Sequence, residues 1–191
     1  MDKTLVCKNE KSNKFWRIFT DAESFFVHYG KVDAFGQFEV KTFGDANECE
    51  KAANALIAEK LKKGYAENGA TFTYDKNGVT DKIEESRKAK NEIIAEMNSF
   101  YSGEPELKIH IARCDAILGR FIDMLKTCAG DQTEIMRTVK NLVCALNSVE
   151  EDSEIIETDE REMIFEFIMG AATAAGLKHD GGDITEEWRE W

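Results

Sequence analysis

The stretch HYGKVDAFGQ, residues 28–37, places a phenol ring, a glycine and a cation at consecutive positions. The ring of Tyr29 can stack on a sugar or a base, and Lys31 can attract a phosphate group. Gly30 and Gly36 interrupt a strand-like pattern at points where a bulge or a tight turn is expected. Two interpretations remain open. The stretch is either a surface that contacts a ligand or a hairpin in which Tyr29 packs across strands and Lys31 is a solvated charge.

Further basic residues lie in or beside the same strands, although the region as a whole is nearly neutral. Residues 1–75 carry 11 Lys/Arg and 12 Asp/Glu, and residues 76–191 carry 14 and 25, so the net charges are −1 and −11. If its cations share one face, the first part can still attract phosphate, whereas the second part repels it. The candidate cations are Lys11, Lys14, Arg17, Lys31 and Lys41.

Catalytic and metal-binding patterns are missing from the sequence. His110 and Cys114 are four residues apart on a predicted helix and could share a metal, but no third ligand follows at a suitable spacing. We therefore expect Cys114 to be a core residue and predict no metal or cofactor. A nucleophile elbow, a phosphate loop and a histidine–carboxylate array are also missing. A non-enzymatic protein without a small-molecule substrate is expected.

Two features near the C-terminus have more than one interpretation. The segment EEDSEIIETDE, residues 150–160, could bind a cation or a basic partner, but it lacks the pattern of a calcium loop. We expect a solvated connection before a helix capped by Asp159 and Glu162.

Trp188 and Trp191 share one face of a predicted last helical turn, where they dock onto the protein or anchor a partner. Docking is the favoured interpretation.

Alternating aromatic and β-branched residues around the opening stretch predict short antiparallel strands. A helix follows, because Asp45 and Glu48 form a capping box and Gly64 occupies the position favoured after a helix end. A short TFTY strand, residues 71–74, and an Asn-Gly turn at 77–78 complete this unit. The three strands of the predicted meander span residues 13–20, 24–32 and 35–43.

From residue 81 onward the apolar residues recur at helical spacing, which predicts a bundle. Pro105 opens the second of these helices, and Gly130 ends it. The predicted fold class is α+β: a small antiparallel sheet with one packed helix in residues 1–75, followed by an all-α helical bundle in residues 81–191. The apolar stripes of the four helices cover residues 83–101, 107–128, 135–146 and 163–171.

The composition favours a cytoplasmic protein. Of 191 residues, 42% are hydrophobic, and the five cysteines are scattered and never paired as CxxC, which is typical of a reducing compartment. The first ten residues contain no apolar run, so no signal peptide is expected. The longest weakly polar stretch, residues 167–177, is shorter than the roughly 20 residues that span a bilayer, so no membrane partner is expected.

The segment from about Asn13 to Glu67 resembles the WGR domain. The order of its pieces, NKFWRI, VHYGKV, FGQ, KTF, a helix and EKLKKGY, matches that family. The family is named for a Trp-Gly-Arg signature, and its counterpart here is Tyr29, Gly30 and Lys31. Tyrosine offers less stacking surface than tryptophan, and lysine lacks the bidentate fork of arginine.

The resemblance implies a nucleic-acid function. In the DNA-damage-dependent poly(ADP-ribose) polymerases, WGR domains help to recognise DNA ends, and other WGR domains occur in bacterial proteins of obscure role. The implied function is a DNA-end-binding module followed by an acidic, partner-binding helical domain. The alternative is an adaptor or inhibitor that binds a basic protein and no nucleic acid. The resemblance implies nucleic-acid contacts at Asn13, Lys14, Tyr29, Gly30, Lys31 and Gln37.

Overall fold

The computed structural model describes residues 1–9, 12–67 and 79–191. The chain divides into two compact units, Met1–Phe72 and Thr73–Trp191. The first unit combines an antiparallel sheet with one helix, and the described part of the second unit contains helices without strands, so the fold class is α+β as predicted. The TFTY strand and the Asn-Gly turn lie outside the described residues.

The described residues of the first unit form four antiparallel strands, which are β1 (Asp2–Asn9), β2 (Ser12–Asp21), β3 (Ser24–Lys31) and β4 (Gln37–Thr42). Each strand pairs with its neighbour in sequence, so the sheet order is β1-β2-β3-β4. Strands β2 to β4 confirm the predicted meander. Strand β1 is an additional strand, which the sequence pattern does not predict because its apolar run, residues 5–7, is only three residues long and lies between polar and charged residues.

Helix α1, Ala46–Lys62, follows the sheet and begins as predicted. The Asp45 side chain accepts a hydrogen bond from the backbone N–H of Glu48 at 2.8 Å. The Glu48 carboxylate accepts from the Gly44 N–H at 3.3 Å, so it reaches one residue beyond the cap. Gly64 follows the helix with a φ of +84°, the left-handed conformation expected there.

Helix α1 packs chiefly on β2 and β3 and covers one face of the sheet. Because successive strand residues point to opposite faces, one face of each strand supplies the core beneath the helix. The buried side chains of this core are Leu5, Trp16, Ile18, Phe25, Val27, Cys49, Ala53 and Ile57.

The second unit contains four long helices, which are α2 (Val79–Phe100), α3 (Lys108–Cys128), α4 (Gln132–Ser153) and α5 (Thr158–Ala174). Pro105 opens a single 3-10 turn that leads into α3. Helix α3 packs on α2 and on α4, and α2 also packs on α5. Within residues 1–9, 12–67 and 79–191, no helix combines the length and the apolar character needed to cross a membrane.

Ion pairs join the helices of this unit at the rim of its core. Arg113, which is 4% exposed, donates to Asp152 at 2.5 Å and ties α3 to α4. Lys90 pairs with Asp115 and ties α2 to α3. Because a buried guanidinium without a carboxylate is costly, we expect Asp152 to be important for the packing of α3.

The acidic segment 150–160 differs from its prediction as a solvated connection. Helix α4 continues to Ser153, and Ile155 and Ile156 are both buried. The hydroxyl of Tyr101 donates to the carbonyl of Ile155 at 3.4 Å. The two isoleucines hold the segment against the core, because the free energy gained by burying their apolar surface exceeds the preference of the flanking carboxylates for water.

A predicted helix cap and one residue of a predicted apolar stripe are also wrong. Helix α5 has Glu157 at its N-cap without a side-chain hydrogen bond, so Asp159 and Glu162 do not form the predicted capping box. In α2 the predicted apolar stripe includes Phe100, but this ring is 64% exposed, whereas the next residue, Tyr101, is buried. The helix ends at this point, so helical spacing no longer decides which of the two rings faces the core.

Candidate functional site

Two lysines of the predicted site lie directly opposite each other. Lys14 of β2 and Lys31 of β3 are partners in the strand register, and both are exposed. The neighbouring pair is hydrogen bonded, because Val32 N–H donates to Asn13 O at 3.1 Å. Lys14 and Lys31 therefore form a non-hydrogen-bonded pair, the type in which Cα atoms are only about 4.5 Å apart. Neither has an ion-pair partner among the residues that the structure describes.

Tyr29 and Gln37 extend this surface from β3 to β4. They are partners in the register, and they lie on the same face of the sheet as Lys31. Gln37 is exposed, whereas Tyr29 is half-buried against the core beneath α1. The Tyr29 hydroxyl donates to Glu39, and this hydrogen bond to a carboxylate raises the pKa of the phenol.

Asn13 and Gly30 point to the opposite face of the sheet, so the six predicted residues do not share one face. The register of β2 and β3 continues unbroken through Gly30, so the predicted bulge is absent. Gly30 is needed for a different reason. A Cβ atom at Gly30 would lie 2.9 Å from the Cα of Gly36, so the two backbones touch at this point.

Gly36 tolerates a side chain less well than Gly30 does. Its φ is +87°, in the left-handed region that favours glycine. A Cβ atom there would lie 2.8 Å from Phe15 Cζ and 2.9 Å from both His28 Nε2 and the carbonyl oxygen of Tyr29. The turn between β3 and β4 is thus held close to the strand that carries Tyr29, which fixes the backbone of the site.

The larger basic patch considered from the sequence does not form on one face. Arg17 lies on the face opposite Lys14, and it donates hydrogen bonds to the Asp2 carboxylate at 2.6 and 2.8 Å. Lys41 pairs in register with Phe25, near the other end of the sheet from Lys31. Lys11 lies outside the described residues. Lys14 and Lys31 are the pair that the structure brings together.

A groove of about 710 Å³ adjoins Tyr29, between α1 and the strands β3 and β4. Tyr29 lines this groove together with charged residues of β4 and α1. Lys60, one of these charged residues, has its Nζ 5.5 Å from the ring centroid of Trp16. The lining residues also include Trp16, Phe25, Val27, Glu39, Leu56 and Glu59.

The role of Glu39 is one that the sequence analysis misses. It is exposed and adjoins Tyr29 through a hydrogen bond across the strands. The alternation of strand residues predicts that Glu39 lies on the same face as Gln37, because the two are two residues apart. Alternation alone does not give the register of β3 against β4, so the contact between Glu39 and Tyr29 cannot be predicted from it.

The paired residues His110 and Cys114 are both on α3, as predicted. Cys114 is fully buried, and this burial raises the pKa of its thiol to about 12. His110 is partly buried, and desolvation lowers the pKa of its imidazole. No group of three potential metal ligands occurs in the part of the chain that the structure describes. Cys114 is accordingly a core residue of α3.

Trp188 docks onto α4, whereas no regular helix forms around it. Asn147 Nδ2 donates to the carbonyl oxygen of Trp188 at 2.8 Å, and Lys140 lies 5.4 Å from its ring centroid. The Asp183 carboxylate accepts from Thr185 N–H at 2.7 Å and stabilises the preceding turn. The docking interpretation is confirmed for Trp188.

Comparison with known proteins places the N-terminal unit in a family. Residues 1–72 match the family described as WGR domain. The uncharacterized protein YfeS of Escherichia coli K12 is 47% identical over 68 residues, which cover 36% of this chain and 28% of YfeS. Protein YehF of the same organism is 42% identical over 62 residues, covering 32% of this chain and 23% of YehF. The N-terminal part of the chain therefore carries a WGR domain.

A protein from Bacteroides fragilis with a known crystal structure is 48% identical to this chain. The match covers 36% of this chain and 19% of that protein, with a TM-score of 0.35. The chain spans about a quarter of the length of the curated relatives it matches.

Proposed function

We propose that this WGR domain is a nucleic-acid-binding module that holds DNA ends through Lys14 and Lys31. The family resemblance supplies the class of ligand, and the cross-strand lysine pair is the observation that carries the proposal. Both lysines are exposed at the ends of their strands, beside the ring of Tyr29. A phosphate between the two ammonium groups would be attracted by both charges at once.

The like-charge pair is unfavourable for the free protein. Equal charges directly opposite each other on a sheet destabilise it, in a range where such cross-strand pairs contribute about 0.2–1 kcal/mol. Other lysines of the same unit do have carboxylate partners, since Lys3 pairs with Glu67 at 2.5 Å and Lys63 pairs with Glu59. An anion bound at Lys14 and Lys31 would relieve the repulsion, which supports a phosphate ligand at this position.

Tyr29 is positioned to contribute a stacking surface. Its ring is half-buried, so part of one face remains available to a sugar or a base. Glu39 holds the hydroxyl and repels phosphate on the β4 side. The phosphate backbone would therefore approach from the side of Lys14 and Lys31, with the terminal nucleotide directed towards Tyr29 and Gln37.

The acidic part of the chain would have a different task. Residues 76–191 have a net charge of −11, which repels nucleic acid and attracts basic surfaces. This charge favours a second candidate function, an adaptor or inhibitor that binds a basic protein and no nucleic acid. In both cases the protein is proposed to be cytoplasmic and non-enzymatic, without a cofactor or a small-molecule substrate.

The proposal is tested by comparing DNA ends with uninterrupted DNA. The full-length chain is titrated at low salt against a blunt, labelled duplex and against a closed circle of the same sequence. We expect tighter binding to the duplex with free ends, and weaker binding to it when Lys14 and Lys31 are both changed to glutamine. Lys51→Gln, an exposed lysine on α1, is the matched control and should bind as the parent does.

Equal affinity for the circle and the open duplex would contradict end recognition. Absence of binding to either DNA at low salt would favour the adaptor function. In that case the same labelled chain should bind a basic protein such as a histone, with an affinity that falls as salt screens the charge of residues 76–191.

A further inference from the structure

Strand β4 is an edge strand with unused backbone hydrogen-bonding groups. Phe43 N–H donates to Glu23 O at 2.9 Å, and hydrogen-bonded pairs alternate along an antiparallel ladder. Gln37, Glu39 and Lys41 therefore bond to β3, and the intervening residues turn their N–H and C=O groups outward. Among the described residues, these outward backbone groups have no hydrogen-bond partner; they belong to Phe38, Val40 and Thr42.

The other edge of the sheet is occupied in part, whereas no strand in the described part of the chain pairs with the outer side of β4. On β1, Val6 exchanges two backbone hydrogen bonds with Ala66, each of 2.9 Å. Helix α1 packs chiefly on β2 and β3, and a groove lies between it and β4. Strand β4 contains no proline, the residue that most directly blocks pairing at an edge.

Charges are the remaining means of protecting this edge, and those of β4 are self-complementary. Glu39 and Lys41 point to the same face, on either side of Val40. If two copies of β4 pair antiparallel with Val40 opposite Val40, Glu39 of each copy lies opposite Lys41 of the other. These are non-hydrogen-bonded positions, where opposing side chains are closest.

The same register also satisfies the outward backbone groups. Val40 would exchange hydrogen bonds with Val40 of the second copy, and Phe38 would do so with Thr42 of the second copy. Sliding the strands by two residues in one direction places Glu39 opposite Glu39, and in the other direction Lys41 opposite Lys41. Like charges opposite each other are unfavourable, so the charge pattern selects one register.

We propose that β4 is a homodimerisation edge, at which two copies of this chain join their sheets antiparallel about a two-fold axis through Val40. The groove between α1 and β4 of each copy then lies beside the joined edges. Glu39 retains one carboxylate oxygen for Tyr29 and offers the other to Lys41 of the second copy. The lysine pair Lys14 and Lys31 lies outside the joined edges.

The dimer is expected to be weak. A six-residue edge buries much less than the roughly 800 Å² per partner of a standard stable interface. A dissociation constant in the micromolar range, about 10–100 μM, is in keeping with such a contact. Sedimentation equilibrium of the full-length chain should therefore show monomers at low concentration and dimers as the concentration rises.

Charge exchange at two positions tests the register. Glu39→Lys and Lys41→Glu each place like charges opposite each other, and each should raise the dissociation constant about tenfold. The double variant Glu39→Lys/Lys41→Glu restores opposite charges and should dimerise as the parent does. Mixing the two single variants should give heterodimers in preference to either homodimer, because all four charges then pair with opposite ones.

A backbone substitution tests the edge without changing charge. Val40→Pro removes an outward N–H, a change that an edge strand tolerates, and should abolish dimerisation. Val40→Ala keeps the N–H and is the matched control. Circular dichroism of each variant checks that the chain remains folded.

Two results would overturn the proposal. One is a parent chain that remains monomeric up to about 1 mM, well above the expected range. The other is a dimer that responds neither to the charge exchanges nor to Val40→Pro, since that dimer would use another surface.

Discussion

Lys14 and Lys31 are direct cross-strand partners at the ends of β2 and β3, and no carboxylate pairs with either of them in the described part of the chain. Two like charges on adjacent strands weaken a sheet, so this arrangement costs stability unless an anion occupies it. The DNA-end proposal rests on this pair together with the neighbouring ring of Tyr29.

Removing one of these charges should stabilise the sheet. Lys14→Gln is expected to increase the free energy of opening of β2 and β3 by about 0.2–1 kcal/mol at low salt, because the repulsion with Lys31 disappears. Native-state hydrogen exchange of the amides in these strands measures the change. Lys51→Gln should leave the same amides unaffected, and a destabilised Lys14→Gln would contradict the repulsion.

Tyr29 should act through its ring rather than its hydroxyl. Tyr29→Phe keeps the ring and loses the hydrogen bond to Glu39, so DNA affinity should stay close to that of the parent. Tyr29→Ala removes the stacking surface and should weaken binding by about 1–3 kcal/mol. Because Tyr29 packs against the core, circular dichroism must show that the alanine variant is folded. Equal affinities for all three proteins would exclude stacking.

Gly36 should be far less tolerant of substitution than Gly64, although both have a positive φ. Gly36→Ala combines backbone strain with contacts of 2.8–2.9 Å to Phe15, His28 and Tyr29. At Gly64 nothing lies within 4 Å of the added Cβ, so Gly64→Ala carries the strain alone. We expect the first change to destabilise the sheet by about 1–3 kcal/mol more than the second, measured by hydrogen exchange of the β3 amides. Similar losses for both would argue against close packing of the turn.

Glu84 should make the helical unit sensitive to acid. Hydrogen bonds from Arg87 and then Lys126 lower the pKa of its carboxyl from 4.5 to about 2. Since the folded-state pKa is the lower one, the stabilisation is complete above about pH 4.5 and is lost as the pH falls towards 2. Glu84→Gln should be less stable than the parent at pH 7, and the difference should shrink over this range.

Helix unfolding followed by circular dichroism at several pH values measures this difference. Glu96→Gln is the control, because Glu96 is exposed on the same helix and has no ion pair among the described residues. A difference between Glu84→Gln and the parent that stays constant from pH 7 to pH 2 would contradict the role of the Arg87 and Lys126 contacts.

Strands and helices with a regular hydrophobic periodicity could be predicted from the sequence. Segments whose position in the fold depends on contacts with distant residues could not. Strands β2 to β4 and the long helices follow from alternation and from helical stripes. Strand β1 has Leu5 and Cys7 on its buried face, but its apolar run is only three residues long and is flanked by polar and charged residues, which is too short to indicate a strand. Ile155 and Ile156 were hidden in the same way by the acidic residues around them.

The candidate site was predictable in composition but not in arrangement. Tyr29, Lys31 and Gln37 could be selected from the family pattern, but the strand register decides which side chains meet. The register brings Lys14 to Lys31, sends Arg17 to the other face and places Glu39 beside Tyr29. Gly30 proved to permit close approach to Gly36, a tertiary contact that no local pattern encodes.

The salt dependence of DNA binding tests the central claim most directly. The full-length parent, Lys14→Gln/Lys31→Gln and Lys51→Gln are titrated with the same blunt duplex over a series of salt concentrations. If the lysine pair holds one phosphate between its two charges, the double variant binds more weakly and the slope of log K against log salt falls by about one unit, while the control keeps the parent slope. A double variant with the affinity and slope of the parent would contradict the assignment of Lys14 and Lys31 as the nucleic-acid contact.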